Sequence, residues 1–393
     1  MTRVAFICAD AGVPVFGRKG SSIHVQEVIR ALVGQGATVE LFATRRGGDP
    51  PADLAAMLCF DLPPPPAGNT RVREQAAMAA NRALRAVLAE RAPFDLVYER
   101  YSLWSHAAID WAREQGVAGI VEVNAPLIEE QAIHRSLSDR AGAEASAGKV
   151  FAAASAIVAV SSGVAAYLER FGVDPDKVRV LSNGVDASRF SGLAQRSRGA
   201  GFTIGFIGTL KPWHGLDTLI AAAGLARDRG CPVRLLIVGD GPESGSLETM
   251  LDAAGLTRDT ELTGAVDPAR IPALLERMDV AVAPYPSLPD FYFSPLKIME
   301  YMAAGSAIVA SRIGDIDGLI EHEATGLLCP PGDAFALADA LIRLCAEPAT
   351  CARLGAAARA VAVRDLGWDR VAAAILDYAG QAPSHHEQRV AAC

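Results

Sequence analysis

The sequence predicts an α/β protein in which two doubly wound parallel-sheet domains face each other across a cleft. Short apolar, β-branched runs alternate with helical segments in the first half, and the same alternation restarts after residue 201. Runs of this kind are typical of parallel strands that helices cover on both faces. The length of 393 residues also suits two domains of roughly 150–200 residues better than one core.

The first array consists of five strand-like runs with helical segments between them. An amphipathic helix is expected from about residue 22 to 35 and a second from 71 to 90. The expected strands are residues 4–8, 39–43, 96–98, 119–123 and 156–160.

The second array begins after a stretch rich in Gly, Ser and Arg, residues 192–201, where we place the hinge. A last helix is expected over residues 368–379, followed by a frayed tail. The expected strands are residues 202–208, 234–238, 280–283 and 307–310. The resulting domain limits are 1–192, 193–366 and a C-terminal helix, 367–393, that packs back on the N-terminal domain.

Composition restricts the class of protein. Apolar residues make up 51% of the chain and the formal charge is -8, which argues against disorder and against nucleic acid as a partner. The seven cysteines are odd in number and form no C-x-x-C pair, as expected for reduced thiols. With no signal peptide or membrane-length apolar run, we expect a soluble, cytoplasmic protein without a transmembrane segment.

Residues 285–305 carry the strongest functional signal. Pro295 suits the first turn of a helix and Ser294 its N-cap, so the free N–H groups of residues 294–296, Leu296 included, would form an anion site. Glu300 lies further into this helix. Its carboxylate either accepts hydrogen bonds from a ribose diol or is an ordinary solvated side chain.

This segment resembles the donor-binding motif of the retaining glycosyltransferases of family GT4, which have the GT-B fold. The motif usually reads Glu, seven residues, Glu. Glu300 matches the second Glu, which binds the ribose hydroxyls in the family, whereas Tyr292 occupies the position of the first, which touches the donor sugar. The segment is similar to a subgroup that reads S-P-L-K-x-x-E-Y, with Lys297 at a usually aliphatic position.

The resemblance extends over nearly the whole chain. Residues 183–186 and Phe190 are similar to the N-G-V-D-x-x-x-F signature of the family. The basic pair that neutralises the donor diphosphate is altered, because Thr209 replaces its Arg and His214 its Lys, which leaves Lys211 as the one permanent cation of that loop. We hypothesise that Lys297 replaces the missing Arg. The resemblance assigns donor contacts also to turn residues after two strands, namely Gly208, Gly239, Gly241, Pro242 and Glu243.

On the N-terminal side, the loop before the first helix would lie beside the diphosphate and acceptor. Gly20 lets the backbone approach a ligand there, and Ser21 or Ser22 can cap the helix. His24 either lines the cleft or is packed inside the domain. Asn124 follows a strand close to where relatives carry a His that touches the reacting sugar, and it can donate a hydrogen bond although it cannot carry a proton.

The resemblance implies a retaining, metal-independent transfer of a hexose-type sugar from a nucleotide diphosphate sugar to an acceptor hydroxyl. The acceptor is a small molecule, a glycan or a lipid-linked compound, and UDP or GDP is the favoured nucleotide. No cofactor or metal is expected beyond this co-substrate. Lys211, Lys297, Asn124 and His24 are the candidate catalytic residues. An NDP-sugar epimerase and a non-catalytic sugar-nucleotide-binding protein remain alternatives, and the sequence leaves the oligomeric state open.

Overall fold

The computed structural model of the protein describes residues 1–193 and 201–381. The chain forms two compact units. The first consists of residues 1–183, residues 292–294 and the chain from Trp368 on, and the second of Gly184–Phe291 and Pro295–Gly367. Residues 194–200 of the expected hinge and the tail after residue 381 lie outside the described residues. The domain limits at 192 and 366 stay predictions.

The first unit is built on one sheet. Among its described residues the strands are β1 (Arg3–Cys8), β2 (Thr38–Ala43), β3 (Leu58–Asp61), β4 (Leu96–Arg100), β5 (Ala118–Val123), β6 (Ala156–Ala159) and β7 (Val178–Val180). All pair in parallel, in the order β3-β2-β1-β4-β5-β6-β7. The winding direction reverses between β1 and β4, and doubly wound sheets bind ligands outside the carboxyl ends of the strands at such a point.

Helices cover both faces of this sheet. They are α1 (Gly20–Gly34), α2 (Thr70–Arg91), α3 (Ala107–Gln115), α4 (Leu127–His134), α5 (Arg140–Ala153) and α6 (Ser162–Glu169). Helix α1 buries Val25, Val28, Ile29 and Leu32 against the sheet, at the spacing of one helical face. The last helix of the chain (Trp368–Gly380) packs against α1 and contributes its own apolar face to the same core.

The second unit has a smaller sheet of the same kind. Its strands within the described residues are β8 (Phe202–Ile207), β9 (Val233–Val238), β10 (Thr260–Leu262), β11 (Val280–Ala283), β12 (Ala307–Ser311) and β13 (Leu327–Cys329), all parallel, in the order β10-β9-β8-β11-β12-β13. Its helices are α7 (Leu216–Asp228), α8 (Ser244–Ala253), α9 (Ile271–Glu276), α10 (Leu296–Ala303), α11 (Ile316–Leu319), α12 (Ala334–Ala346) and α13 (Pro348–Asp365), so that Trp368–Gly380 is α14.

The predicted fold class is confirmed in both units, because each contains a doubly wound parallel sheet between helices. The strong apolar runs explain this, since Val, Ile, Leu and Phe fill the central strands and are almost fully buried. Within residues 1–193 and 201–381, no helix combines the length and the apolar character needed to cross a bilayer.

Glu99 is a carboxyl group buried inside the first unit. It lies in β4 with 0% exposure, and neither oxygen accepts a hydrogen bond of good geometry from the described residues. Burial raises the pKa of Glu99 to about 7, against a smaller lowering by the nearby Ser105 hydroxyl. The folded protein therefore holds the Glu99 proton more tightly than the unfolded chain does.

We expect the free energy of unfolding to fall as the pH rises from the ordinary Glu value of 4.5 to about 7. Over this range the unfolded chain releases the Glu99 proton while the folded chain keeps it. Glu99→Gln should remove this part of the slope, which is on the order of a few kcal/mol. Urea unfolding at several pH values measures it. The half-exposed Glu144, replaced as Glu144→Gln, serves as the control. An unchanged slope in Glu99→Gln would contradict the assignment.

Candidate active site

Three loops of the second unit approach one another after the carboxyl ends of β8, β9 and β11. Glycine makes these approaches possible. Gly215 has φ of 67°, and a Cβ there would lie 1.7 Å from the carbonyl oxygen of Pro284. Gly239 has φ of 136°, and its Cβ would lie 2.0 Å from the carbonyl oxygen of Gly208. Gly239, which was predicted to contact a donor, is thus required by the packing of the loops themselves.

Lys297 places a buried ammonium group among these loops. Its Nζ has no hydrogen-bond partner among the described residues. The nitrogen lies 4.2 Å from the centre of the Phe206 ring and 5.3 Å from that of Tyr285, so the ring faces provide its electrostatic stabilisation. It also lies 3.0 Å from the position of a Cβ on Gly208. Burial lowers the pKa of Lys297 to about 7.

His214 is held neutral beside this lysine. Burial, followed by the charge of Lys297, lowers the pKa of His214 to about 3. Nδ1 lies 2.5 Å from the carbonyl oxygen of Thr209, and because a carbonyl only accepts, Nδ1 carries the proton and Nε2 is an acceptor. His214 therefore does not supply the positive charge of the Lys that it replaces in the family motif.

The other predicted residues of these loops have different surroundings. Lys211 lies with Nζ 5.4 Å from the ring centre of Trp213, and Thr209 is exposed. Gly241 packs against the backbone of Leu210. Pro242 is exposed and Glu243 precedes the first residue of α8.

The start of α10 corrects one sequence expectation. The helix begins at Leu296, with Pro295 at the N-cap and no side-chain cap, so Ser294 is not the cap. Instead the Ser294 hydroxyl accepts a hydrogen bond of 2.9 Å from Asn183 Nδ2. This contact holds Ser294 in the first unit, to which residues 292–294 belong. The first N–H groups of α10 still lack intrahelical acceptors, as at every helix start.

Glu300 forms an ion pair that the sequence did not reveal. Arg189 Nη1 lies 3.2 Å from Glu300 Oε1, and both side chains are partly buried. Arg189 Nη2 also donates to the carbonyl oxygen of Pro268, at 3.0 Å. Burial raises the pKa of Glu300, and the neighbouring Arg189 opposes this shift. Arg189 therefore both fixes the orientation of the carboxylate and favours its charged form.

The turn around Phe190, which carries the N-G-V-D-x-x-x-F signature, explains how Arg189 is held. Phe190 is fully buried, and its carbonyl oxygen accepts a hydrogen bond of 3.0 Å from Arg359 Nη1. The same Arg359 nitrogen donates to the carbonyl oxygen of Ala303 at the end of α10, at 2.7 Å. Since Arg189 immediately precedes Phe190, the turn attaches it to the helix that carries Glu300. The fixed spacing of the signature identifies this turn in the sequence. Arg189 occupies one of the unspecified positions of the signature, so the motif did not identify it.

The first unit contains a cleft of about 750 Å³. It lies at the carboxyl ends of β1, β4 and β5, where the winding direction of the sheet reverses. Asn124 lines it, and its buried Nδ2 has no hydrogen bond of good geometry among the described residues. The lining includes the cationic side chains of Lys19, Arg73 and Arg135.

The cap of the first helix differs from the sequence expectation, although Ser21 lines this cleft. The helix begins at Gly20 with Lys19 as N-cap, so neither Ser21 nor Ser22 caps it. His24 is 4% exposed, with Nε2 2.9 Å from Glu122 Oε1 and its ring edge against Trp368. The sequence left open whether His24 lines the cleft or is packed inside the domain. In the structure it is packed inside the first unit.

Tyr292 is the remaining predicted donor residue. Its hydroxyl donates to Glu130 Oε1 at 2.7 Å, and its carbonyl oxygen accepts from the Ser161 hydroxyl, also at 2.7 Å. The predicted residues thus divide between the units. The second unit holds Gly208, Thr209, Lys211, His214, Gly239, Gly241, Pro242, Glu243, Pro295, Leu296, Lys297 and Glu300, and the first holds Gly20, His24, Asn124, Tyr292 and Ser294.

Removing Arg189 should leave the Glu300 carboxylate partly buried and unpaired. We expect Arg189→Met to destabilise the second unit by about 1–3 kcal/mol and the double variant with Glu300→Gln to recover most of this loss. Arg343→Met is the matched control, because its pair with Glu323 is exposed and should contribute about 1 kcal/mol or less. Thermal and urea unfolding measure both. Equal losses in the two single variants would show that the Arg189 pair has no special role.

Two family models match the chain. The one described as Glycosyltransferase Family 4 matches residues 18–189, and the one described as Glycosyl transferases group 1 matches residues 201–347. The chain is 27% identical to the D-inositol 3-phosphate glycosyltransferase of Salinispora tropica over 405 residues, which cover 94% of this chain and 83% of that protein.

The chain is also similar to a relative over a shorter stretch and to a solved structure over nearly its full length. It is 30% identical to the glycogen synthase of Mycobacterium tuberculosis over 208 residues, 52% of this chain, and spans about half (49%) of that relative. The structure of Anabaena Alr3699/HepE in complex with UDP and glucose has a TM-score of 0.70 at 19% identity, covering 97% of this chain and 100% of that chain. One glycosyltransferase family model thus matches each half of the chain, and the solved structure shares its fold.

Proposed function

We propose that the protein is a retaining glycosyltransferase that moves a hexose from a nucleotide diphosphate sugar, with UDP or GDP as the nucleotide, to a hydroxyl of an acceptor. The observation that carries the proposal is the buried Lys297 ammonium without a hydrogen-bond partner among the described residues. It belongs to the first turn of α10, where helix N–H groups favour an anion. The names of the similar proteins, which are glycosyltransferases or bind UDP, support the same reaction class.

The diphosphate would supply the acceptor atoms that Lys297 lacks. A buried ammonium loses the solvation of water, and an anion that arrives beside it restores that loss. Lys211 would contribute a second, more exposed cation from the loop after β8. His214 would act differently, because its neutral ring accepts at Nε2 and suits a hydroxyl donor better than a phosphate.

Glu300 would bind the ribose of the nucleotide. Its carboxylate can accept two hydrogen bonds from a diol, and its pair with Arg189 uses Oε1 at 3.2 Å and leaves further lone pairs. Arg189 would act as a positioning residue that keeps this carboxylate charged.

Departure of the nucleoside diphosphate would leave an oxocarbenium-like sugar and concentrate negative charge on the leaving group. Lys297, Lys211 and the first N–H groups of α10 would stabilise that charge from fixed positions. Retention would follow from attack of the acceptor on the face that the leaving group has vacated. Because these protein cations would take the place of a metal ion, we propose a metal-independent reaction.

The direct test is transfer from UDP- and GDP-hexoses, with and without EDTA. We expect one of these donors to be hydrolysed or transferred at an unchanged rate in EDTA, with the anomeric configuration of the product retained by NMR. Sugar release without acceptor but with isomerisation would indicate an epimerase, and donor binding without turnover a binding protein. A strict need for a divalent ion would contradict the proposed mechanism.

We expect the affinity for the nucleoside diphosphate to fall as the pH rises above about 7, the pKa of Lys297 in the free protein. A neutral lysine must take up a proton to pair with the diphosphate, and this uptake becomes costlier at higher pH. Lys297→Met should weaken UDP or GDP binding about 10- to 100-fold near neutral pH and remove this pH dependence. Calorimetric titration in buffers of different ionisation enthalpy measures both.

Lys211→Met is the matched control for this lysine. It should weaken binding while leaving the pH dependence in place, because Lys211 lies outside the buried aromatic surroundings of Lys297. If Lys297→Met bound the nucleotide like the wild type while Lys211→Met bound none, Lys297 would not be a diphosphate ligand.

A further inference from the structure

Tyr301 connects helix α10 to strand β8 inside the second unit. Its side chain is fully buried, and its hydroxyl oxygen accepts a hydrogen bond of 2.9 Å from the Ile207 N–H group. Ile207 is the last residue of β8. A helix side chain thus binds the backbone of the strand at its carboxyl end, where the loop that starts with Gly208 begins.

The Ile207 N–H group lies beyond the point where the neighbouring strand could accept from it. On one side β8 pairs with β9 along its whole length, whereas on the other it pairs with β11 only at Ile204 and Gly205. The Gly208 N–H donates to a carbonyl oxygen of β9 at 2.9 Å. Because successive N–H groups of a strand point to opposite sides, that of Ile207 points to the β11 side. There the Tyr301 hydroxyl takes the place of a strand carbonyl, so the buried N–H keeps a partner.

The residues on either side of Ile207 lie against the Lys297 ammonium group. Its Nζ is 4.2 Å from the centre of the Phe206 ring and 3.0 Å from the position of a Cβ on Gly208. Lys297 and Tyr301 are four residues apart in α10, so their side chains project from the same face of the helix. The hydrogen bond of Tyr301 therefore fixes the part of β8 on which Lys297 lies.

Helix α10 is short enough for such a contact to set its position. It has eight residues and begins without a side-chain cap, and a helix of about two turns moves as one body. Its end is held by Arg359, which donates to the Ala303 carbonyl oxygen at 2.7 Å. Tyr301 adds a second polar contact from a different direction, toward the sheet. Together the two contacts determine where the turn with Lys297 lies.

We propose that Tyr301 is a positioning residue of the anion site. Its hydroxyl holds the carboxyl end of β8 against α10 and thereby keeps the Lys297 ammonium group in its buried position on the Phe206 ring. The ring of Tyr301 fills the core, and the hydroxyl has this second, separate role. That the anion is a nucleoside diphosphate rests on the proposed function, whereas the positioning of Lys297 does not.

The variant Tyr301→Phe tests the hydroxyl while it keeps the ring. The chain has five lysines, so isotope labelling of lysine allows each of them to be titrated by NMR, and Lys297→Met identifies the signal of Lys297. We expect Lys297 to lose its proton about one pH unit higher in Tyr301→Phe than in the wild type, because a displaced ammonium group regains contact with water. Equal titration of Lys297 in the two proteins would overturn the positioning role.

Asp279→Ala is the matched control, because it also removes a side-chain acceptor from β8. Asp279 Oδ2 accepts from the Thr203 N–H group at 2.8 Å, at the amino end of the strand. Both variants should lower the melting temperature, since each takes an acceptor from an N–H group of β8. Only Tyr301→Phe should change the titration of Lys297. An equal change in Asp279→Ala would show a general loosening of the unit and no special role of Tyr301.

Calorimetric titration of the same samples with UDP and GDP connects this role to the nucleotide. At a pH where Lys297 is charged in both proteins, Tyr301→Phe should bind about 3- to 10-fold more weakly than the wild type, because the cation is no longer pre-placed. The difference should narrow at higher pH, since the variant keeps the Lys297 proton longer. Asp279→Ala should bind like the wild type throughout.

The two measurements separate this inference from the proposed function. A wild-type chain that binds neither nucleotide refutes the proposed function alone, because the titration of Lys297 still decides whether Tyr301 positions it. A wild-type chain that binds a nucleotide, together with a Tyr301→Phe variant of the same affinity at every pH, refutes the role of Tyr301 in the site alone.

Discussion

The interaction on which the second unit depends is the burial of the Lys297 ammonium group. This group is removed from water and has no hydrogen-bond partner among the described residues. Desolvating an ammonium group costs several kcal/mol even after the protein relaxes, and contacts with aromatic faces return about 0.5–2 kcal/mol. Phe206 and Tyr285 provide these faces around Lys297. The remaining cost is visible as the lowered pKa of the lysine. The folded unit therefore favours the binding of an anion beside the Lys297 nitrogen.

Several neighbouring features are consequences of that charge. Burial and, after it, the charge of Lys297 lower the pKa of His214 and keep its ring neutral. Gly208 has no side chain where the lysine nitrogen lies. The carboxylate of the same helix, Glu300, is not used to neutralise the lysine but is paired with Arg189 from a different turn. The two charged residues of α10 are therefore kept apart, so each retains capacity for a different part of one ligand.

Much of the fold could be predicted because its signal is local. Central parallel strands are buried on both faces, so they appear as continuous apolar runs, and the helices between them show the 3.6-residue period. The strands missing from the expectation, β3, β7, β10 and β13, all lie at the edges of the two sheets and have only three or four residues. Such strands need no apolar run, so they leave little trace in the sequence.

The site was predictable to the extent that motifs have fixed spacing. Glu300 and Lys297 could be identified in this way, but the partner of Glu300 could not, because Arg189 is separated from it by more than a hundred residues. The Ser294 cap was predicted from local preference, and a tertiary contact with Asn183 determined the outcome instead.

The position of α14 has a consequence for how the chain is made. Trp368, Val371 and Ile375 complete the core against α1, although the second unit is synthesised between these two helices. On the ribosome, the apolar face of α1 therefore lacks its last covering helix until almost the entire chain has emerged. Apolar surface that stays exposed during folding makes a chain prone to aggregation. A stop codon a few dozen residues early would remove little of the second unit and yet leave the first unit with an open core.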